Sequence, residues 1–406
     1  MKKTIALALL ICMLLSLMAG CSGSKLESYE SDTPAAQTGD SAAAAEAEEA
    51  TIAIGNGGSG FETYAPDTVV VTINGLDVTW QDYYYWMSYY VSYVQSVARQ
   101  ANASLTGWDV LELSSSQTNA DVVLTNAHRN VTLDYVILSM AAEEGVTLDA
   151  ADEAELEELF ETNADSITGD GNGEASEEEI AAFEEYLAQI DLTRELYDFR
   201  NTTELLQEKL FETLYGEKGA NYPDADAVEF AEDNGLMAAK HILLLTVDAD
   251  TREPIEDEAV IAEKKATAEE LLARLQAVQD DKEALAALFD ELTEEYTEDT
   301  GYAAYPDGYV FSEGQMVSAF EDAVKALEGD YELSGIVESE YGYHIVMSIP
   351  IDPDAVVGST SSGADVTLRY QAASQQFSAR LNAAIDSADI VWADGFEAPD
   401  MAAIFG

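Results

Sequence analysis

Two of the three histidines in this 406-residue sequence stand in matching surroundings a domain's length apart: His241 in "AAKHILLL" and His344 in "YGYHIV". An imidazole can exchange a proton near neutral pH, ligate a metal, or hydrogen-bond at both ring nitrogens. Each of these histidines lies in a short run of Ile, Leu and Val, the pattern of a buried strand. A zinc site on them would have to recruit nearby acids, whereas zinc sites draw mainly on His and Cys. Both cysteines, Cys12 and Cys21, lie far away at the N-terminus. The pair therefore reads as hydrogen-bonded histidines that fix a sheet, and neither a metal nor a cofactor is expected. The third, His128, falls on a polar turn of a helical run and reads as solvated or structural. A second chemical pattern is "TGDGNGEASEEE" (168 to 179), where Asp170, Asn172, Gly173 and Glu179 occupy offsets 3, 5, 6 and 12 of a calcium loop. Thr168 replaces the required first acid and Ala175 the usual branched apolar residue. An acidic turn between helices is the better reading, with weak calcium binding as the minor one.

The elements around the histidines follow from periodicity. From 236 onward the order is strand ("MAAKHILLLTV"), long amphipathic helix, second helix, loop, third helix ("MVSAFEDAVKAL") and hairpin ("GIVESEYGYHIVMSIPI") with Gly342 near its turn. That order makes an α+β domain over 236–351. A Gly/Ser-rich linker and one more helix complete 352–406, and that helix needs an earlier partner, the N-terminal helical region. Upstream, 118–215 is helical throughout, and Gly145 ends its first helix. Residues 67–98 give a strand, the turn Asn74-Gly75, a second strand and a helix capped by Thr79. That helix carries an apolar stripe of Trp80, Tyr83, Trp86, Tyr90, Val94 and Val97. Tyr84, Tyr85, Tyr89 and Tyr93 leave aromatics on its other faces, which are either further core or a surface for apolar client segments.

The N-terminus reads as an export signal: two lysines, an apolar run short for a membrane span, then small residues. Its ending, "LMAGC", resembles the lipobox of bacterial lipoproteins. This implies a signal over 1–20, cleavage before Cys21, a lipid on Cys21, and an extracytoplasmic location anchored to the cell membrane. Cys12 would leave with the signal, so the mature chain would hold no disulfide. Residues 21–66, rich in Ser, Ala, Gly and acids, read as a flexible tether. With 79 Asp and Glu against 18 Lys and Arg, the net charge of −61 excludes nucleic acid and anionic lipid surfaces as partners.

Three separated motifs, "KHILL", "FSEGQMVSAFEDAV" and "YGYHIV", occur in the order found in parvulin peptidyl-prolyl isomerases, and residues 238 to 351 resemble that domain. The segment "VTINGLDVTWQDYYYWM" is similar to the start of the helical domain of SurA-like and PrsA-like chaperones. The whole chain resembles a lipid-anchored foldase of this type. The resemblance implies an α+β fold: a helical SurA-like chaperone domain over 67–235 and a parvulin domain with an antiparallel four-stranded sheet and surrounding helices. It implies that His241 and His344 face each other at the centre of the sheet, with Asp299 beside the prolyl amide and Ser339 joining the histidine network as catalytic residues. Phe311, Gln315, Met316 and Phe320 are implied to hold the proline. The chain departs from the family between Asp299 and Phe311, where "TGYAAYPDGYVF" places Gly308 at a position usually aliphatic, and Tyr309 or Tyr305 is expected to fill the gap.

The chemistry suits these residue types. Rotation about an X–Pro bond must cross a barrier of about 20 kcal/mol because amide resonance is lost at the twisted state. No bond breaks, so an apolar seat for proline and control of water at the carbonyl suffice. The implied function is isomerisation and chaperoning of unfolded or partly folded exported proteins containing X-Pro bonds. The alternative is a catalytically inactive parvulin-like holdase, and the reading admits a homodimer. No Arg or Lys falls within 299–320, which predicts little preference for an acidic or phosphorylated residue before proline.

Overall fold

A computed structural model describes residues 60–61, 64–100, 107–111, 116–169, 171, 175–190, 192–360, 363–394, 396 and 399–405. The signal, Cys21, most of the 21–66 segment, and Asp170, Asn172 and Gly173 of the calcium-like loop lie outside the described residues. The chain forms two compact units, one of residues up to Thr213 together with those from Phe377, the other Leu214–Gln376. Among the described residues no helix is long and apolar enough to cross a membrane.

The first unit begins with a hairpin of β1 (Val69–Ile73) and β2 (Leu76–Thr79). Its turn residues Asn74 and Gly75 both have positive φ, 50° and 78°, as a tight hairpin turn matching the twist of its strands requires. β9 (Ile390–Trp392) pairs antiparallel with β1 from the other side. Thr79 opens α1 (Trp80–Gln100), its amide and hydroxyl both donating to Asp82 Oδ2 at 3.1 and 2.7 Å. Of the aromatics outside the expected stripe of α1, Tyr84 is core, stacking on Phe405 at 5.5 Å, and Tyr85 and Tyr89 are half-buried against that core; Tyr83, within the stripe, meets Trp392 and Phe396 edge-on. Packed residues already include Phe61 and Tyr64, ahead of residue 67 where the periodicity starts. Trp80 Nε1 donates to the Gly60 carbonyl at 2.8 Å. Tyr93 stays exposed.

α2 (Asn119–Glu144) starts at a Thr118–Asp121 capping box and ends at Gly145, whose left-handed φ of 71° lets it close the last turn. α3 (Ala150–Thr168), α4 (Glu177–Gln189) and α5 (Arg194–Tyr215) share a cluster of Phe160, Phe183, Leu187 and Tyr197. His128 is half-buried rather than solvated, its ring 5.1 Å from that of Trp392. β9 brings Trp392 there from a part of the sequence distant from His128.

The second unit opens with α6 (Asp224–Asp233), which the sequence reading missed because only Ala227 and Ala231 of it are buried and so no apolar stripe marks it. Its sheet has the order β4 (Tyr309–Phe311), β3 (Met237–Leu245), β6 (Gly342–Ser348), β5 (Leu333–Glu338), all antiparallel. On one face Ile242, Ile345 and Met347 pack against Leu271 and Leu275 of α7 (Glu258–Gln276) and Leu285, Phe289 and Leu292 of α8 (Lys282–Tyr296). On the other, Ala239, Val346 and Phe311 pack against Phe320 and Val324 of α9 (Ser318–Lys325). Part of the stretch read as a linker is a second hairpin, β7 (Val356–Ser359) with β8 (Asp365–Thr367). Its β-branched residues flank the Gly/Ser turn, a strand signal that composition alone hides. α10 (Leu368–Asp386) follows, and α11 (Met401–Phe405) ends the described chain.

Gly342, at the entry of β6, has φ 149°, and a Cβ there would sit 2.1 Å from the Leu244 carbonyl oxygen across the ladder. The central strand pair closes over this residue. Gly342→Ala should therefore destabilise the second unit by at least about 2 kcal/mol, read from the denaturant midpoint. A change within about 0.5 kcal/mol would show that the strand crossing is not so tight.

Candidate active site

The ladder between β3 and β6 sets His241 opposite Val346 and His344 opposite Leu243. The two histidines are thus diagonal neighbours on one face of the sheet, within reach of each other's rings. Their Nδ1 atoms are 3.0 Å apart. β4 pairs with β3 only over Met237–Ala239, and beyond it the 297–298 segment takes over the edge of β3. Thr297 Oγ1 accepts from the Leu243 amide at 3.2 Å, and the Glu298 amide donates to the Leu243 carbonyl at 2.8 Å. Lys264 pairs with Glu298, whose carboxylate also accepts from the Leu245 amide at 2.8 Å. This clamp delivers Asp299 to His241, with Oδ2 2.9 Å from Nε2.

On the far side, Ser339 sits in the β5–β6 turn with Oγ 2.6 Å from His344 Nε2, and it accepts from the Tyr341 amide at 3.1 Å. The carboxylate can only accept, so the protons order themselves along the chain. With neutral rings, His241 Nε2–H donates to Asp299, His344 Nδ1–H donates to His241 Nδ1, and the Ser339 hydroxyl donates to His344 Nε2. A Ser339 that already accepts from the Tyr341 amide fits the donor role.

Burial raises the Asp299 carboxyl, but donors from His241, Tyr309 and the Gly301 amide outweigh it and hold the group down to about 2. Burial first, and then the neighbouring charge of His241, push His344 down to about 4 against the pull of Asp299. The Tyr309 hydroxyl, 2.5 Å from Asp299 Oδ2, is raised by burial and by the carboxylate it donates to. An ionised Asp299 below a neutral His344 is the resting state at neutral pH.

A cavity of about 340 Å³ opens above this network. Met316, Val317, Phe320 and Leu243 give it an apolar wall; Asp299, His241, His344, Tyr309 and Gln315 a polar one. The Phe320 ring meets the His241 ring edge-on at 5.1 Å. Gln315 Oε1 accepts from the Ser312 amide at 2.8 Å and so clasps its own loop. The buried Glu321 carboxylate accepts from the Gly314 and Met316 amides at 2.8 and 2.9 Å, which fixes Met316 at the rim. The fold thus gathers His241, His344, Asp299, Ser339, Gln315, Met316 and Phe320 in one place. Phe311 is buried behind Phe320, 5.5 Å between rings, and does not line the cavity.

Three wall residues carried weaker signals or none. Tyr309, one of two tyrosines expected to fill the gap beside Gly308, lines the cavity and bonds Asp299; Tyr305 lies outside it. Gly308 itself has φ 106°, and a Cβ there would come within 3.0 Å of the Ala239 carbonyl, so no aliphatic residue fits this backbone. Tyr341 lines the wall next to the hairpin turn. Arg252 enters the wall from the connection between β3 and α7, its guanidinium 5.6 Å from the Tyr341 ring. The expectation of little acidic preference considered residues 299–320 alone; Arg252 adds to the wall a cation that nothing in the sequence pattern pointed to.

Residues 241–349 match the rotamase family, described as the PPIC-type PPIASE domain. The second unit thus contains a parvulin-type rotamase domain. "Foldase protein PrsA" of Halalkalibacterium halodurans is 40% identical over 94 residues, 23% of this chain and 26% of that protein. "Putative peptidyl-prolyl cis-trans isomerase dodo" of Drosophila melanogaster is 43% identical over 61 residues, 15% of this chain and 36% of that one. The similarity therefore spans well under half the length of these curated relatives. The crystal structure of PrsA from Bacillus subtilis aligns over 69% of this chain and 90% of that one, with 21% identity and a TM-score of 0.23.

The two depressed groups give a pH dependence of known sign. A ring held down from 6.5 to about 4 stabilises the fold fully above 6.5, and this is lost as pH falls through that interval, because the unfolded chain takes up the proton first. The second unit should lose on the order of 3 kcal/mol between those limits. Asp299, held down from 3.8 to about 2, adds a further loss below that range. Denaturant midpoints measured across both intervals check this; a flat profile from 6.5 to 4 would contradict a His344 buried as the neutral ring.

Proposed function

We propose that this protein is a peptidyl-prolyl cis-trans isomerase and chaperone that assists the folding of exported proteins outside the cytoplasmic membrane. The observation that carries the reading is the cavity of about 340 Å³ in which an apolar wall faces an ordered carboxylate–histidine–histidine–serine chain, inside a segment matching the rotamase family. Phe320, Met316, Val317 and Leu243 seat the proline ring and exclude water from one side of the amide. Asp299, His241, His344 and Ser339 form a preorganised polar floor whose dipoles are fixed before substrate arrives. Stabilising the twisted amide against both planar forms needs no proton transfer, so the histidines act by holding the geometry and field of that floor. Unfolded or partly folded proteins with exposed X-Pro bonds are the substrates, and the lipid on Cys21 keeps the enzyme at the membrane where such chains emerge.

The test is the cis-to-trans rate of Ala-Xaa-Pro-Phe peptides with the chain from Ser22 onward. The parent should accelerate isomerisation, and Met316→Ala and Asp299→Ala should each lower kcat/KM by at least about tenfold. An inert parent that still slows aggregation of an unfolded protein would overturn the enzyme and leave a holdase.

Arg252 makes a second prediction in the same assay. Glu before proline should be turned over faster than Lys, by about two- to tenfold, and Arg252→Ala should remove the difference. Equal rates for Glu and Lys in the parent would show that Arg252 does not reach the substrate.

A further inference from the structure

Three donors pin the Asp299 carboxylate. The Gly301 amide donates to Oδ1 at 3.0 Å, and His241 Nε2 lies 2.9 Å from Oδ2. The third donor, the Tyr309 hydroxyl, reaches the same Oδ2 at 2.5 Å from β4, an edge strand of the sheet. Strand pairing puts it there: Tyr309 stands opposite Ala239, two residues before His241 on β3. Its side chain and the His241 ring therefore rise from one face of the sheet, and they meet edge-on at 5.7 Å.

The neighbouring chain is shaped around this hydroxyl. A Cβ at Gly301 would lie 2.3 Å from Tyr309 Oη, so any side chain at that position would evict the hydroxyl from its seat. Glycine thus leaves room for one donor and supplies its own amide as another. Tyr305 packs against the Tyr309 ring at 5.2 Å. Burial first, and then the carboxylate, raise the hydroxyl, which stays protonated and donates at neutral pH. Without it, one lone pair of Oδ2 would face the cavity, open to water or to a substrate amide N–H. Either would draw the carboxylate away from His241. Proton order along Asp299, His241, His344 and Ser339 starts at that carboxylate, so disorder there would pass down the whole network.

We propose that Tyr309 is a positioning residue of the rotamase site: its hydroxyl closes the open lone pair of Asp299 and holds the carboxylate on His241, while its ring serves as cavity wall. The proposal rests on the rotamase reading for its effect on turnover alone. Phenylalanine at this position would keep the wall and lose the hydrogen bond, which makes the two roles separable.

The test is a double-mutant cycle with Asp299→Ala, using the chain from Ser22 onward and reading kcat and KM separately for Ala-Xaa-Pro-Phe peptides. Tyr309→Phe should lower kcat by about three- to tenfold and leave KM within about twofold of the parent. Where Asp299→Ala is already present, Tyr309→Phe should cost nothing further. Tyr309→Ala, which also removes the wall, should raise KM as well. Tyr305→Phe, outside the cavity, should turn over as the parent does. Denaturant midpoints of each variant report whether the second unit remains folded.

A second readout needs no turnover. The chain has three histidines, so isotope-labelled imidazoles give a simple magnetic-resonance spectrum. The Nε2–H donated to Asp299 is identified by its loss in Asp299→Ala. Its exchange with solvent should be at least about tenfold faster in Tyr309→Phe.

An unchanged kcat in Tyr309→Phe, an equal loss with and without Asp299, or an unchanged exchange rate would overturn the proposal. A parent with no prolyl turnover would sink the rotamase reading instead, and the exchange rate by itself would then decide whether the hydroxyl holds the carboxylate.

Discussion

The register between β3 and β6 governs the chemistry of the second unit. Because His241 faces Val346 and Leu243 faces His344, the two imidazoles fall on the same side of the sheet at a diagonal spacing. A slip of one residue would send one ring into the helix-packed layer of Ile242, Ile345 and Met347 and break the contact. Gly342 guards that register at one end. Its backbone passes too near the Leu244 carbonyl for any side chain, so the strands lock where glycine sits. His344 follows Gly-Tyr in this buried strand because the glycine permits the close strand crossing that brings the histidine to its partner.

From that pair the remaining polar groups take their roles in sequence. Asp299 stays ionised because three donors converge on it, and an ionised Asp299 determines which nitrogen of His241 carries the proton. The choice passes to His344 and ends at Ser339. Each link is a hydrogen bond inside a low-dielectric layer, where a satisfied network is rigid and a broken one is costly. The network therefore supports the fold and the cavity together, and its members cannot be sorted cleanly into structural and functional ones.

The first unit follows different physics. Its β2–β1–β9 sheet and the aromatic helix α1 are closed by residues from the far end of the chain: Trp392, Phe396 and Phe405 cover faces of α1 that its own hairpin leaves open. The packing that results is not complete, for a cavity remains around the Trp86–Arg200–Asp134 cluster. A buried ion pair rarely adds much net stability over apolar packing.

Local pattern was enough to find most elements: the Asn74-Gly75 turn, the Thr79 cap, the Gly145 stop, and the strands bearing His241 and His344. These signals lie within a few residues of one another, where backbone sterics and side-chain periodicity act directly. What local pattern could not supply was anything decided by distant pairing. α6 had no apolar stripe to betray it, Phe311 turned inward behind Phe320, and Arg252 and Tyr341 reached the cavity wall through connections whose paths depend on the finished sheet. The sequence by itself determined which residues could do the chemistry and on which elements they ride. Tertiary structure alone decided the strand register, the proton order along the network and the membership of both cavities, because these depend on contacts between segments that no local periodicity relates.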